Sequence, residues 1–262
     1  MSDTVPAAAP RSTTPHLSAR GLALAYGENV ILRDVSFDVR RGEVFVIMGG
    51  SGCGKSTLLR HLIGLESPAA GEILLNGENF SGAPEERRAA LLRRFGVTYQ
   101  GGALWTSLTL AENVALPLRE YTRLSAREIA EVTRYKLALV GLGGFEDYHP
   151  SEISGGMVKR AALARAMALD PEILFLDEPS AGLDPVTARL LDELILQLRE
   201  TLGATVVVVT HELASIFAIA DRALFLDAAT RTVGALGPPA ELRNCSNPRA
   251  RAFLNRGVPT PP

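Results

Sequence analysis

The chain has 262 residues, and its 27 Lys and Arg against 29 Asp and Glu leave a net charge of −2, which argues against a strongly basic nucleic-acid footprint. Its hydrophobic share of 47% suffices for a full core, and its length suits one large domain or a domain with an inserted subdomain. Two cysteines, Cys53 and Cys245, make neither a disulfide framework nor a metal site, and no stretch reaches the ~18 uncharged apolar residues of a membrane span.

Residues 1–15 are rich in Ala, Pro, Ser and Thr and lack the apolar core of a signal peptide, so a disordered tail is predicted, and a reducing cytoplasm suits the chain. Residues 16–42 alternate apolar and polar positions (Leu22, Leu24, Tyr26, then Val35, Phe37, Val39), which predicts short strands in an antiparallel layer. Glu43 to Met48 reads as a buried parallel strand. It runs straight into Gly49-Gly50-Ser51-Gly52-Cys53-Gly54-Lys55-Ser56-Thr57, which fills every fixed position of a phosphate loop. Glycines 49, 52 and 54 let such a loop curl, and the curl aims backbone N–H groups at an anion in front of the next helix. Lys55 then reaches the β- and γ-phosphates of a nucleotide, and the Ser56 hydroxyl takes a place on Mg²⁺. Cys53 is read as a small spacer whose backbone N–H is what the phosphate needs.

Glu85-Glu86-Arg87-Arg88 reads as a solvated helix face. Between Gln100 and Glu120, Leu104, Trp105 and Leu108 mix with Gly and Thr; this is either a packed loop or an exposed groove for a partner helix. Ser125-Ala126-Arg127-Glu128 is a capping box opening a helix toward Leu142. Ser154-Gly155-Gly156 opens another long helical pattern and offers a second anion site. Ile173 to Leu176 is a second buried strand, ending at Asp177, placed to hold Mg²⁺ through water, and Glu178, placed to orient or deprotonate an attacking water. Asp184 is a candidate N-cap of the next helix. Thr205 to Thr210 is a further core strand whose end carries His211, on the edge where parallel sheets bind ligands, so a γ-phosphate contact is predicted. Asn247 to Pro262, with Phe253 and Leu254 among Arg and Pro, reads as a loose end.

These motifs together resemble the nucleotide-binding subunits of ABC transporters over nearly the full length. The resemblance implies an α/β fold: a RecA-like P-loop NTPase core (residues 16–100 and 171–240) with an antiparallel β layer, an inserted helical subdomain (101–170) and a C-terminal tail (241–262). It assigns Tyr26 to adenine stacking, residues 49–57 to the Walker A loop, Gln100 to the Q-loop, Ser154-Gly155-Gly156 to the signature turn, Asp177 and Glu178 to Walker B and the catalytic base, Asp184 to the D-loop and His211 to the switch histidine. ATP and Mg²⁺ are the implied ligands. Two copies are expected to sandwich ATP head to tail, Walker A of one facing the signature of the other. The common Leu-Ser-Gly-Gly-Gln signature here has Ile153 for Leu and Met157 for Gln, and the latter puts in doubt any hydrogen bond of the usual Gln. Ser-Gly-Gly-Met followed by Lys159 to Ala166, and the stretch from Gly102 to Glu120, are similar to the ATPases of phospholipid transporters with MCE-domain partners, of the maintenance-of-lipid-asymmetry and toluene-tolerance type; in such relatives the tail can reach the neighbouring ATPase subunit, which makes dimer stabilisation the alternative to a loose end. The expectation is an ATPase serving a multi-span permease and an MCE-domain lipid-binding protein, peripheral on the cytoplasmic face of the inner membrane, with no nucleic acid. The alternatives are an ABC ATPase for another solute, such as an amino acid or a drug, and a soluble scaffold as in iron–sulfur cluster assembly.

Overall fold

The structure, a computed structural model, describes residues 15–256. The disordered tail expected over residues 1–15 lies outside the described residues, except that Pro15 already begins the first strand. Strands β1 (Pro15–Tyr26) and β2 (Asn29–Arg40) are 12 residues each, longer than the alternation suggested. Shifts in their register mark irregularities that bend the ribbon. With β4 (Ala70–Leu75) and β5 (Glu78–Asn79) they make an antiparallel sheet in the order β2-β1-β4-β5.

The second sheet has the order β10-β9-β3-β8-β7-β6, from β3 (Val44–Met48), β6 (Phe95–Thr98), β7 (Ile173–Asp177), β8 (Thr205–Val209), β9 (Arg222–Asp227) and β10 (Thr232–Gly237). All its pairs are parallel except β9 with β10. Alternate residues of β3 go to opposite faces. Val44, Val46 and Met48 join one apolar cluster and Phe45 and Ile47 the other, so the strand is buried on both sides and reads as continuously apolar.

Helix α1 (Lys55–Leu62) comes after β3, and α2 (Glu85–Leu92) precedes β6. Helices α3 (Leu110–Tyr121), α4 (Ala126–Leu139) and α5 (Gly155–Ala166) lie between β6 and β7 and pack on one another. Both bonds of the Ser125–Glu128 capping box are present at α4, and Thr109 with Glu112 makes a second one at α3. Helices α6 (Pro185–Leu202) and α7 (Leu213–Ile219) flank β8, and α8 (Pro239–Leu242) and α9 (Pro248–Leu254) end the described chain. Of the loose end expected over Asn247 to Pro262, residues 257–262 lie outside the described residues, and Pro248–Leu254 form a helix instead. Asn247 caps α9, and Ala250 and Leu254 are fully buried, because a helix with one apolar face gains more by covering β9 and β10 than by staying solvated.

Candidate nucleotide site

Parallel pairing brings the C-terminal ends of β3, β7 and β8 to one edge of the sheet, and the residues just beyond each strand build the site. After β3 the chain must turn at once. Gly49 is left-handed at φ 155°, and a Cβ there would meet Cys53 Sγ at 2.6 Å and Leu226 O at 2.8 Å, so no other residue fits. Gly54, at φ 97°, stands at the N-cap of α1 with no side chain capping the helix. The first-turn N–H groups of Lys55, Ser56 and Thr57 therefore face outward without intrahelical acceptors, an anion cradle made of backbone. Lys55 Nζ donates to the carbonyls of Gly49 (3.1 Å) and Gly50 (3.2 Å), which places its charge over the loop. Gly50 and Gly52 have open space around them, and Ser51 is exposed. Cys53 is 3% exposed, and burial pushes its thiol pKa up, in keeping with a packed spacer.

A cavity of about 440 Å³ opens beside the loop, lined in part by Tyr26, Ser56, Thr57, Arg60, Tyr99 and Asp177. Tyr26 is 47% exposed, its hydroxyl donating to Glu66 at 2.8 Å, which leaves a ring face free for stacking. Asp177 ends β7 with one buried carboxylate oxygen, Oδ1, lacking a hydrogen-bond partner. Burial first, and then the Glu178 charge, raise its pKa, while Lys55 and Lys159 oppose the shift. Among the described residues no group of three His, Cys, Asp or Glu could hold a metal alone. One hydroxyl and one orphaned carboxylate oxygen do fit a hard divalent cation that takes its remaining ligands from phosphate and water.

Glu178 is left-handed, at φ 45°, and only 9% exposed. Such a conformation costs a non-glycine residue about 1–3 kcal/mol and persists where its surroundings hold it. Here the Glu178 N–H donates to Val209 O at 2.8 Å, Thr210 Oγ1 donates to one carboxylate oxygen at 3.1 Å, and His211 Nδ1 donates to the other at 2.8 Å. The strand ends of β7 and β8 thus pin a carboxylate between a hydroxyl and an imidazole. Nothing in the sequence marks Thr210 except its place beside His211 at a strand end. No site role is predicted for Lys159 of α5 either, which donates to the Gln100 carbonyl and senses the charges of Asp177 and Glu178.

The remaining predicted residues do not line this cavity. Gln100 is exposed beyond β6. Ser154 caps α5, accepting from Met157 N at 3.3 Å; Ser154 and Gly155 are exposed, while Gly156 is buried against Thr187. Asp184 caps α6 by accepting from Val186 N and Thr187 N. Among the described residues, none of these last four lines the phosphate-loop cavity. Met157 packs on the core instead of offering a polar contact.

A family model described as "ABC transporter" matches residues 32–181. The intermembrane phospholipid transport system ATP-binding protein MlaF of Escherichia coli (strain K12) is 42% identical over 90% of this chain and 87% of its own length. The probable ribonucleotide transport ATP-binding protein mkl of Mycobacterium leprae (strain TN) is 41% identical over 91% of this chain and 68% of its own. Among solved structures, the dimeric post-hydrolysis state of the ATP-binding cassette MJ0796 bound to ADP and Pi superposes with a TM-score of 0.77 at 30% identity, covering 85% of this chain and 98% of that one. For cbiO1 of Clostridium perfringens, part of the ABC transporter complex cbiONQ, the TM-score is 0.81 at 25% identity, covering 94% and 96%. Phosphate loop, strand-end carboxylates and these likenesses agree: the chain belongs to the ABC transporter family, as an ATPase of the ATP-binding cassette type.

Proposed function

We propose that two copies of this chain close on ATP and energise a permease that moves phospholipids between membranes. The observation that carries the reading is the division of the phosphate-binding elements. Ser56 and Thr57 of the Walker A loop share one cavity with Asp177 and Tyr26, while the anion turn at Ser154 lies outside it and is exposed, as a turn serving a nucleotide held by another copy must be. The phospholipid cargo is supported by the Ser-Gly-Gly-Met turn, by the segment from Gly102 to Glu120, and by the likeness to MlaF.

On this reading the N–H groups at the start of α1 receive the phosphates, and Lys55 exchanges two loop carbonyls for β- and γ-phosphate oxygens. Tyr26 stacks on the adenine. Ser56, Gln100 and, through water, Asp177 are the residues that would hold Mg²⁺, which supplies charge neutralisation when bound. Glu178, held by Thr210 and His211, takes the proton of the attacking water, and His211 reaches the γ-phosphate. Charge neutralisation by Lys55 and the partner copy's signature turn contributes more to the rate than proton transfer does. Asp184 faces the second copy beside that turn.

The force leaves through the Gln100 region. Arg165 of α5 donates to the carbonyls of Gly102 (3.0 Å) and Ala103 (2.7 Å), so a shift of α5 carries this loop with it. Beside it a groove of about 760 Å³ runs between α2, β6, α3 and α5, with Leu92, Val97, Leu116, Pro117 and Tyr121 in its walls and Trp105, 63% exposed, at its edge. An amphipathic cytoplasmic helix of a multi-span permease fits it. Among the described residues no helix is long and apolar enough to cross a membrane. The chain would then sit on the cytoplasmic face of the inner membrane, with an MCE-domain protein completing the transporter.

The test is recovery of partners from detergent-solubilised membranes, with the Glu178→Gln chain and ATP as bait and mass spectrometry as the readout. A permease with an MCE-domain protein and phospholipid is the expected result. A permease with another cargo would discard the lipid, and soluble partners alone would move the chain to the scaffold class.

A further inference from the structure

The carbonyl of His211 has no place in secondary structure. The first acceptor of α7 is the next residue, Glu212, whose carbonyl receives Ile216 N at 3.0 Å. Across 45 residues of sequence, the Arg256 guanidinium donates to the His211 carbonyl instead. That guanidinium is exposed but held in place. It lies 4.3 Å over the ring of Phe253, whose centroid is 5.6 Å from that of Phe225 on β9. Leu254 anchors the same turn of α9 at full burial, and Arg249 and Asn247 tie the start of the helix to Asp227, each at 3.3 Å. A residue just past α9 therefore holds the main chain at His211, and the ring of His211 in turn holds Glu178.

We propose that Arg256 is a positioning residue for hydrolysis, fixing the turn so that the His211 ring keeps Glu178 in its productive orientation. This rests on the proposed roles of His211 and Glu178 and extends them to the C-terminal helix. Arg256 does not line the phosphate-loop cavity and bonds the His211 carbonyl, not Glu178, so its loss should change the rate and not the binding of ATP. An exposed charge-assisted hydrogen bond of this kind is worth about a factor of five in the population of one conformer.

The test is steady-state ATPase kinetics of the full chain, with Arg256→Ala and Arg256→Lys, beside NMR of ¹⁵N-labelled histidines. The chain has 4 His, so the His211 ring can be followed individually. The expected result is a kcat about fivefold lower for Arg256→Ala, with KM for ATP and the melting temperature unchanged, and partial recovery with Arg256→Lys. The His211 ring signals should move while those of His16, His61 and His149 stay. Unchanged kcat and His211 signals would overturn the proposal. A parallel fall of kcat, ATP binding and melting temperature would overturn it too, because it would make Arg256 a structural residue. A His211→Ala control separates the two readings: full turnover there removes the role of His211 itself, whereas loss there with no effect at Arg256 removes only the role of Arg256.

Discussion

At the residue scale the proposed chemistry rests on one carboxylate, Glu178, and the groups that hold it. Glu178→Gln keeps the shape of the side chain but cannot accept a proton, so hydrolysis should fall by about 10²-fold or more while ATP still binds. Phosphate release and size-exclusion chromatography with ATP would check this, the variant accumulating as a closed dimer. Full turnover would remove Glu178 as the base. Thr210 links two groups: its hydroxyl donates to Glu178 and accepts from Glu212 N at 3.1 Å. Thr210→Val keeps the volume and leaves the Glu212 N–H and, in a buried place, the Glu178 carboxylate short of a partner. A loss of about 1–3 kcal/mol is expected from urea unfolding, together with slower turnover. The motif residues are legible because their types are dictated by local chemistry, as the single hydroxyl and amine of Ser56 and Lys55 are. Thr210 is not, since the partner that gives it meaning, Glu178, is 32 residues away.

At the element scale the two anion turns should respond differently to being blocked. Ser154→Arg at the start of α5 should abolish hydrolysis and leave ATP binding by the monomer nearly intact, since the Ser154 turn lies outside the cavity of its own chain. Filter binding and phosphate release measured on the same preparation would decide it, and equal loss of both would contradict the two-copy arrangement. The segment that bears Trp105 is fixed by Asn113 on α3, which is fully buried. Its carboxamide accepts from Trp105 N at 2.8 Å and donates to the carbonyls of Trp105, Leu108 and Thr109. Asn113→Leu would strand those groups, at about 2–4 kcal/mol. Trp105 is the only tryptophan, so its fluorescence should report a loosened loop at once. From sequence this segment could be a packed loop or a groove. The clamp shows how it is ordered and still exposed: Asn113 secures the backbone, and the ring is left outside.

At the scale of the whole molecule, the two sheets are tied at the edge away from the nucleotide. His16 of β1, 1% exposed, contacts Thr205 of β8 at 2.6 Å and Glu172, ahead of β7, at 3.1 Å. Glu172 is drawn down to about 2, first by its hydrogen bond from Arg94. Burial lowers the His16 pKa below its usual 6.5. Both groups bind protons less readily when folded, so their stabilisation is present above the unfolded values of 6.5 and 4.5 and is lost as pH falls through the folded ones. Urea midpoints should therefore drop from pH 7.5 to pH 5, and further toward pH 3. In His16→Asn the first part of that drop should shrink. A wild-type midpoint that is flat between pH 7.5 and 5 would remove His16 from this account.

The sequence by itself determined the phosphate loop, the strands that end in carboxylates, the helix caps and hence the family. Each is written in a short window, where backbone conformation and residue type constrain each other: a Gly where a Cβ cannot fit, a continuous apolar run where both faces are buried. Only the tertiary structure decided which groups face each other across many residues. The left-handed Glu178 between Thr210 and His211, the clamp at Asn113, the tie from His16 to Thr205 and Glu172, and the bond from Arg256 to the His211 carbonyl all need partners brought together by strand order and burial. That is also why a C-terminal segment with few apolar residues reads as a loose end. Its Leu254 gains a buried site only once β9 and β10 are in place to receive it.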